Sequence, residues 1–145
     1  MNLQRRIFLF GALFVTFLAI VIGVLFYFTI SRAIETQIGA QALSIAKTTA
    51  NRSDVVEAFH STNPTKILQP IAEKIRIESN AEYVVIGNKY GVRYAHPVKD
   101  RIGQKMVGDD NERALVNGES YISEAKGTLG EAIRGKAPVI DNDGN

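Results

Sequence analysis

The 145-residue sequence contains no cysteine, so disulfides, thiolate metal sites and a cysteine nucleophile are excluded, while the redox compartment is left open. Histidine occurs only twice, as His60 and His96, and neither lies in a recognisable catalytic motif. A hydrolase needs a nucleophile with a base and an orienting group, and Ser123 and Thr128 lack any nucleophile-elbow sequence. Walker loops, dinucleotide-binding glycine fingerprints and metal-ligand spacings are all missing. Asp109 and Asp110 read as acids complementing the dipole of a short helix. No cofactor or metal is expected. Net charge is also missing from most of the chain. Of 17 Lys and Arg, Arg5 and Arg6 stand at the N-terminus, and from residue 31 onward 15 basic residues face 15 acidic ones. With no basic stripe and no aromatic-basic interleaving, nucleic acid is not an expected partner.

Charge disappears altogether from residues 7 to 30, IFLFGALFVTFLAIVIGVLFYFTI. About 20 apolar residues suffice for a helix to cross the hydrocarbon core. The two preceding arginines place residues 1 to 6 in the cytoplasm and residue 31 onward outside. A cleaved signal peptide would carry an apolar core of only about 7 to 15 residues followed by a small-residue cleavage site. Here the chain continues helically instead. The expected organisation is a cytoplasmic N-terminus at 1–6, a transmembrane helix at 7–30 and an extracytoplasmic domain at 31–145.

Apolar spacings near three and four from Ser31 to His60 predict one amphipathic helix, able to pair with its copy in a second chain or to lie on the domain. STNPT at 61–65 breaks it. A second helix is predicted over 64–79, with Ile67, Leu68, Ile71, Ala72 and Ile75 on one side. Strands are predicted at 81–87, 92–95, 119–125 and 132–140, with a short helix at 109–118. Pro97 ends the second strand because it cannot continue a ladder. DNDGN at 141–145 is a hairpin-turn signal with no strand after it, so a returning strand is expected to be missing. Helices leading into hairpin-type strands make an α+β domain around one central antiparallel sheet with flanking helices.

Two cationic groups stand out. Arg93, His96, Lys99 and Arg101 fall within nine residues, opposed only by Asp100. Arg134 and Lys136 alternate along one strand, so both side chains share a face. That face is either solvated or holds an anion. An Arg fork can grip a carboxylate through two parallel hydrogen bonds, and a protonated His96 would be favoured beside one. Lys99 and Arg101, past the proline, read as solvated. The glycines of KGTLG at 126–130 can turn backbone N–H groups toward an anion, although an ordinary strand connection has the same sequence.

VRYAHP, RIGQ, GDD and GEAIRGKAPV, in this order and spacing, resemble the extracytoplasmic PAS-like domain of the CitA/DcuS type of citrate and C4-dicarboxylate sensor histidine kinases. The resemblance covers essentially the whole chain. It implies a homodimer in the bacterial inner membrane that binds a small carboxylate outside and signals through a cytoplasmic kinase to a response regulator. It assigns Arg93, His96 and Arg134 to the carboxylates and Met106, Thr128 and Leu129 to the pocket. Lys136 falls where the citrate branch carries a lysine and the C4-dicarboxylate branch tends to carry an aromatic, so citrate is favoured. Val85 departs from the threonine usual in citrate sensors and keeps a dicarboxylate open. The family layout continues into a final strand, a second membrane helix, a cytoplasmic PAS domain and the kinase core, so this chain carries no catalytic domain of its own. A chemoreceptor ligand domain would bind a similar anion but lead into a methyl-accepting coil. A pilin-like protein also runs an apolar helix into a sheet, but it would carry a Glu within the apolar run. A membrane-anchored hydrolase lacks its motif.

Overall fold

The computed structural model describes residues 3–108, 110–127 and 129–141. The chain divides into two compact units between residues 37 and 38. The first unit is helix alone. Helix α1 (Leu3–Ala50) begins there, and its apolar side chains from Ile7 to Ile30 are exposed on every side. Such a helix lacks the polar stripe that a protein surface in water requires. It is long and apolar enough to cross a membrane, since 24 residues rise about 36 Å against a hydrocarbon core of about 30 Å. The two threonine hydroxyls between residues 7 and 30 are satisfied within the helix. The Thr16 and Thr29 hydroxyls donate to the carbonyls of Ala12 and Leu25 at 2.9 and 2.8 Å, as lipid demands.

The second unit begins within α1. The single helix expected to reach His60 is broken: α1 stops at Ala50, Arg52 is extended (φ −76°, ψ 130°), and α2 (Ser53–Phe59) restarts. Thr48, Thr49, Asn51, Ser53 and Asp54 are weak helix formers that compete for backbone hydrogen bonds. Arg52 folds onto Asp54 through two hydrogen bonds of 2.9 and 2.6 Å. Helix α3 (Pro64–Glu78) is close to expectation. Pro64 opens it, and the Asn63 side chain accepts from the Lys66 N–H at 3.3 Å. Leu68 and Ala72 are buried, whereas Ile67 is 40% exposed.

The core gathers Val55, Ala58, Leu68, Ala72, Ile86 and Ala95, with Phe59, Ile71, Val84, Tyr94 and Val139 packed around them. Strands β1 (Ile86–Gly87) and β2 (Arg93–Ala95) pair antiparallel across a register irregularity at Ile86 and Gly87. The Asn88 side chain closes the turn by accepting from the Tyr90 and Val92 N–H groups, both at 3.0 Å. Residues 103–106 run along the other edge of β2, where the Arg93 N–H donates to the Gln104 carbonyl and the Gly103 N–H to the Arg93 carbonyl. A one-turn helix at Lys99–Arg101 and α4 (Glu112–Leu115) follow.

Strands β3 (Tyr121–Gly127) and β4 (Gly130–Lys136) form a seven-pair hairpin from Tyr121↔Lys136 to Gly127↔Gly130. The fold class is α+β, with two separate two-stranded ladders among the described residues instead of one central sheet. The expected strand at 81–87 joins its ladder only at Ile86 and Gly87. The turn foreseen at 141–145 lies, from residue 142, outside the described residues.

Directly opposed residues of the hairpin share a face. One face carries Tyr121, Ser123, Arg134 and Lys136. The other packs on α1, where Gly39 meets the Ile122 and Ile133 side chains. At Gly135 the two backbones touch. A Cβ there would lie 2.2–2.3 Å from Ala42 and Leu43 main-chain atoms, so only glycine fits.

Candidate ligand-binding site

Arg134 and Lys136 share the front face of β4, as their spacing predicts, and that face is not solvated. Their side chains are 10% and 13% exposed. Gly127, four cross-strand pairs along the hairpin from Arg134, leaves room for the Arg134 guanidinium, which passes 2.1 Å from where a Cβ would stand. The Arg134 Nε donates to the Tyr83 hydroxyl at 2.9 Å.

A carboxylate already sits between the two cations. Oδ2 of Asp110 accepts the Ser123 hydroxyl at 2.6 Å and lies 2.9 Å from Lys136 Nζ. Its Oδ1 faces Arg134 Nη1 at 3.3 Å. The ammonium of Lys136 also donates to the Asp110 carbonyl and to Asn111 Oδ1, each at 2.6 Å, so its three hydrogens have three acceptors. The Tyr121 hydroxyl donates to the same Asp110 carbonyl. Burial pushes the Asp110 carboxyl up, but Ser123, Lys136 and Arg134 outweigh it and hold it below the usual carboxylate range. Burial lowers Lys136 from its ordinary value, Asp110 opposes that, and Arg134 adds to the lowering. Two cations this close are tolerated because one anion lies between them.

The second group is built on β2. Arg93 and His96 are each 3% exposed. Burial and the neighbouring Arg101 push Arg93 down. Burial pushes His96 below its ordinary value, the Val98 backbone opposes this, and Arg93 and Arg101 reinforce it. A neutral imidazole is therefore favoured in this structure, where the sequence suggested a charged one beside an anion. Nδ1 of His96 lies 3.0 Å from the Val98 nitrogen and 3.1 Å from its oxygen, which ties the ring to that backbone. Gln69, on α3, grips the His96 main chain, accepting from its N–H at 2.8 Å and donating to its carbonyl at 3.0 Å.

Met106 bonds through its N–H to the Gly91 carbonyl, and its methyl group lies against Gly87. Leu129 is in the hairpin turn, 43% exposed. Thr128 lies outside the described residues, as does Asp109. Lys99 and Arg101 are exposed, as expected. From the sequence, Ser123, Tyr83, Tyr121 and Gln69 carry no binding role, and Asp110 reads only as a helix-dipole acid. Asp110 stands two residues ahead of α4 and turns its carboxylate to the cations, not to the helix dipole. The one available signal was its place in GDD, after a glycine.

The single cache domain 3 family model matches residues 29–145. The chain belongs to this family. It is 50% identical over 135 residues to the sensor protein CitS of Halalkalibacterium halodurans, covering 93% of this chain and 25% of that protein. It is 32% identical over 145 residues to the sensor histidine kinase CitA of Klebsiella pneumoniae, covering 99% and 26%. The crystal structure of the Escherichia coli DcuS sensor domain superposes with a TM-score of 0.71 at 30% identity, covering 77% of this chain and 83% of that one. The cache chain thus spans about a quarter of the length of these curated relatives. It is a sensor domain of the CitA/DcuS histidine kinase type.

Proposed function

We propose that residues 31–145 are an extracytoplasmic domain that binds citrate, anchored by a single span at 7–30. Arg93, Arg134 and Lys136 neutralise its carboxylates, His96 hydrogen-bonds to them, and Met106, Thr128 and Leu129 line the site. The observation that carries this reading is the buried Arg134–Lys136 pair, which already holds a carboxylate in place. A third ligand carboxylate needs a further cation, and Lys136 supplies it. In the longer protein the domain works as a homodimer, and ligand binding favours the compact state of the domain, which biases a cytoplasmic kinase and its response regulator. The ligand can do so only through a difference in affinity for the two states.

Titration calorimetry of the chain in lipid nanodiscs, with citrate, malate and succinate, and with and without a chelator, tests the proposal. Charge-assisted hydrogen bonds contribute about 1.5–3 kcal/mol, and about 1.4 kcal/mol is tenfold in affinity. Arg134→Ala is therefore expected to weaken citrate binding by one to two decades. Equal or tighter binding of the dicarboxylates would move the domain to the C4-dicarboxylate branch. Normal citrate affinity in Arg93→Ala would refute the site assignment.

A further inference from the structure

We propose that Asp110 is an internal carboxylate that occupies the ligand's place on Arg134 and Lys136, so that binding displaces it and its charge sets how many negative charges the site accepts. The inference rests on the anion-site reading of these two cations.

Three observations point to a placeholder. Asp110 lies inward, its side chain 15% exposed, while the apolar Val107 three residues earlier is 51% exposed. This inverts the usual distribution of acid and aliphatic side chains. Reaching inward depends on Gly108, whose φ is +115° and whose Cβ, if present, would lie 2.6 Å from Asp110 Oδ1 and 3.2 Å from Arg134 Nη1. Finally, the contact to Arg134 is poor. Nη1 lies 3.3 and 3.4 Å from the two carboxylate oxygens, against about 2.7–2.9 Å for a good charge-assisted bond. The main chain at Asp110 is anchored separately, through its carbonyl to Tyr121 and Lys136. Rotation of the side chain alone can therefore withdraw the carboxylate from Arg134 and from one hydrogen of the Lys136 ammonium without unfolding the segment.

The charge balance follows. In the proposed site Arg93, Arg134 and Lys136 bring three positive charges, and Asp110 removes one. With Asp110 in place the site suits a dianion. With Asp110 displaced it suits a trianion, and part of that ligand's binding free energy is consumed in expelling the internal competitor. Apparent affinity falls by the fraction of molecules whose site is open.

The test is calorimetric titration of the chain in nanodiscs with citrate and with succinate, for wild type, Asp110→Asn and Ser123→Ala. Asparagine keeps the size and an acceptor for Ser123 but removes the charge. Asp110→Asn is expected to bind citrate about tenfold tighter and to raise the ratio of citrate to succinate affinity. Ser123→Ala loosens Oδ2 and is expected to tighten citrate a few-fold, and it decides the matter if Asp110→Asn does not fold. A purely structural aspartate would give unchanged or weaker binding, so wild-type binding with no gain in either variant overturns this inference alone. No binding in wild type and variants alike overturns the anion-site reading, and this inference with it.

Discussion

Gly135→Ala is the sharpest test of how the hairpin is seated. The added methyl would stand 2.2 Å from the Ala42 carbonyl carbon and the Leu43 nitrogen and 2.3 Å from the Ala42 oxygen. All three are main-chain atoms of a helix, so no side chain can rotate away. Ordinary contact starts near 3.4 Å, and β4 would have to retreat by about 1.2 Å or the helix bend. Overpacking typically costs about 1–3 kcal/mol, and a backbone-limited clash belongs at the upper end. At about 4–8 °C per kcal/mol for a domain of 60–100 residues, the melting temperature should fall on the order of 10–20 °C. Gly39→Ala is the internal comparison. Its methyl would meet Ile122 side-chain carbons at 3.1 and 3.2 Å, which can shift by a few tenths of an ångström. Thermal unfolding followed by tyrosine near-ultraviolet circular dichroism reads the second unit with little interference from the apolar helix. A Gly135→Ala melt within 2 °C of wild type, or a larger loss in Gly39→Ala, would refute the described seating.

Two further outcomes are expected. Gln69→Ala leaves the buried His96 N–H and carbonyl without their side-chain partner. An unsatisfied buried group costs about 1–3 kcal/mol, so the variant should melt well below wild type, and Gln69→Glu, which keeps an acceptor for the N–H, should recover part of the loss. Burial lowers the His96 pKa below its ordinary 6.5, so the unfolded chain binds a proton that the folded chain resists. Stability from this source is complete above about pH 6.5 and is lost as pH falls through the folded value. Melting temperature should decline between pH 6.5 and 5 in wild type and flatten in His96→Gln, and a flat wild-type profile would contradict the reading.

Local signals reached far into this fold. The uncharged run at 7–30, the Asn63–Pro64 helix start and the alternation of Arg134 and Lys136 each depend on a few neighbouring residues, and each appears in the structure where its spacing put it. The break at Asn51–Arg52 was also local, but the apolar periodicity on either side masked it. What stayed hidden was long-range. Asp110 meets Arg134 24 residues away, Tyr83 meets Arg134 across 51, and Gln69 meets His96 across 27. Tertiary folding creates those pairs, and no periodicity announces them. The same reason explains why Arg134 and Lys136 could be read as solvated: their burial comes from Asp110, Tyr83 and Asn111, all supplied by other segments.

The hairpin is one strand thick. Its front holds Arg134 and Lys136, and its back, at the residue between them, rests main chain to main chain on Ala42 and Leu43. A side-chain contact dissipates small displacements by changing rotamers, but the contact at Gly135 has no rotamers to change. Any movement of β4 normal to the hairpin, such as a change in what the two cations hold, therefore bears on the helix backbone as through a rigid shim. A lever of that kind responds to fractions of an ångström, and a single methyl group at position 135 is enough to jam it.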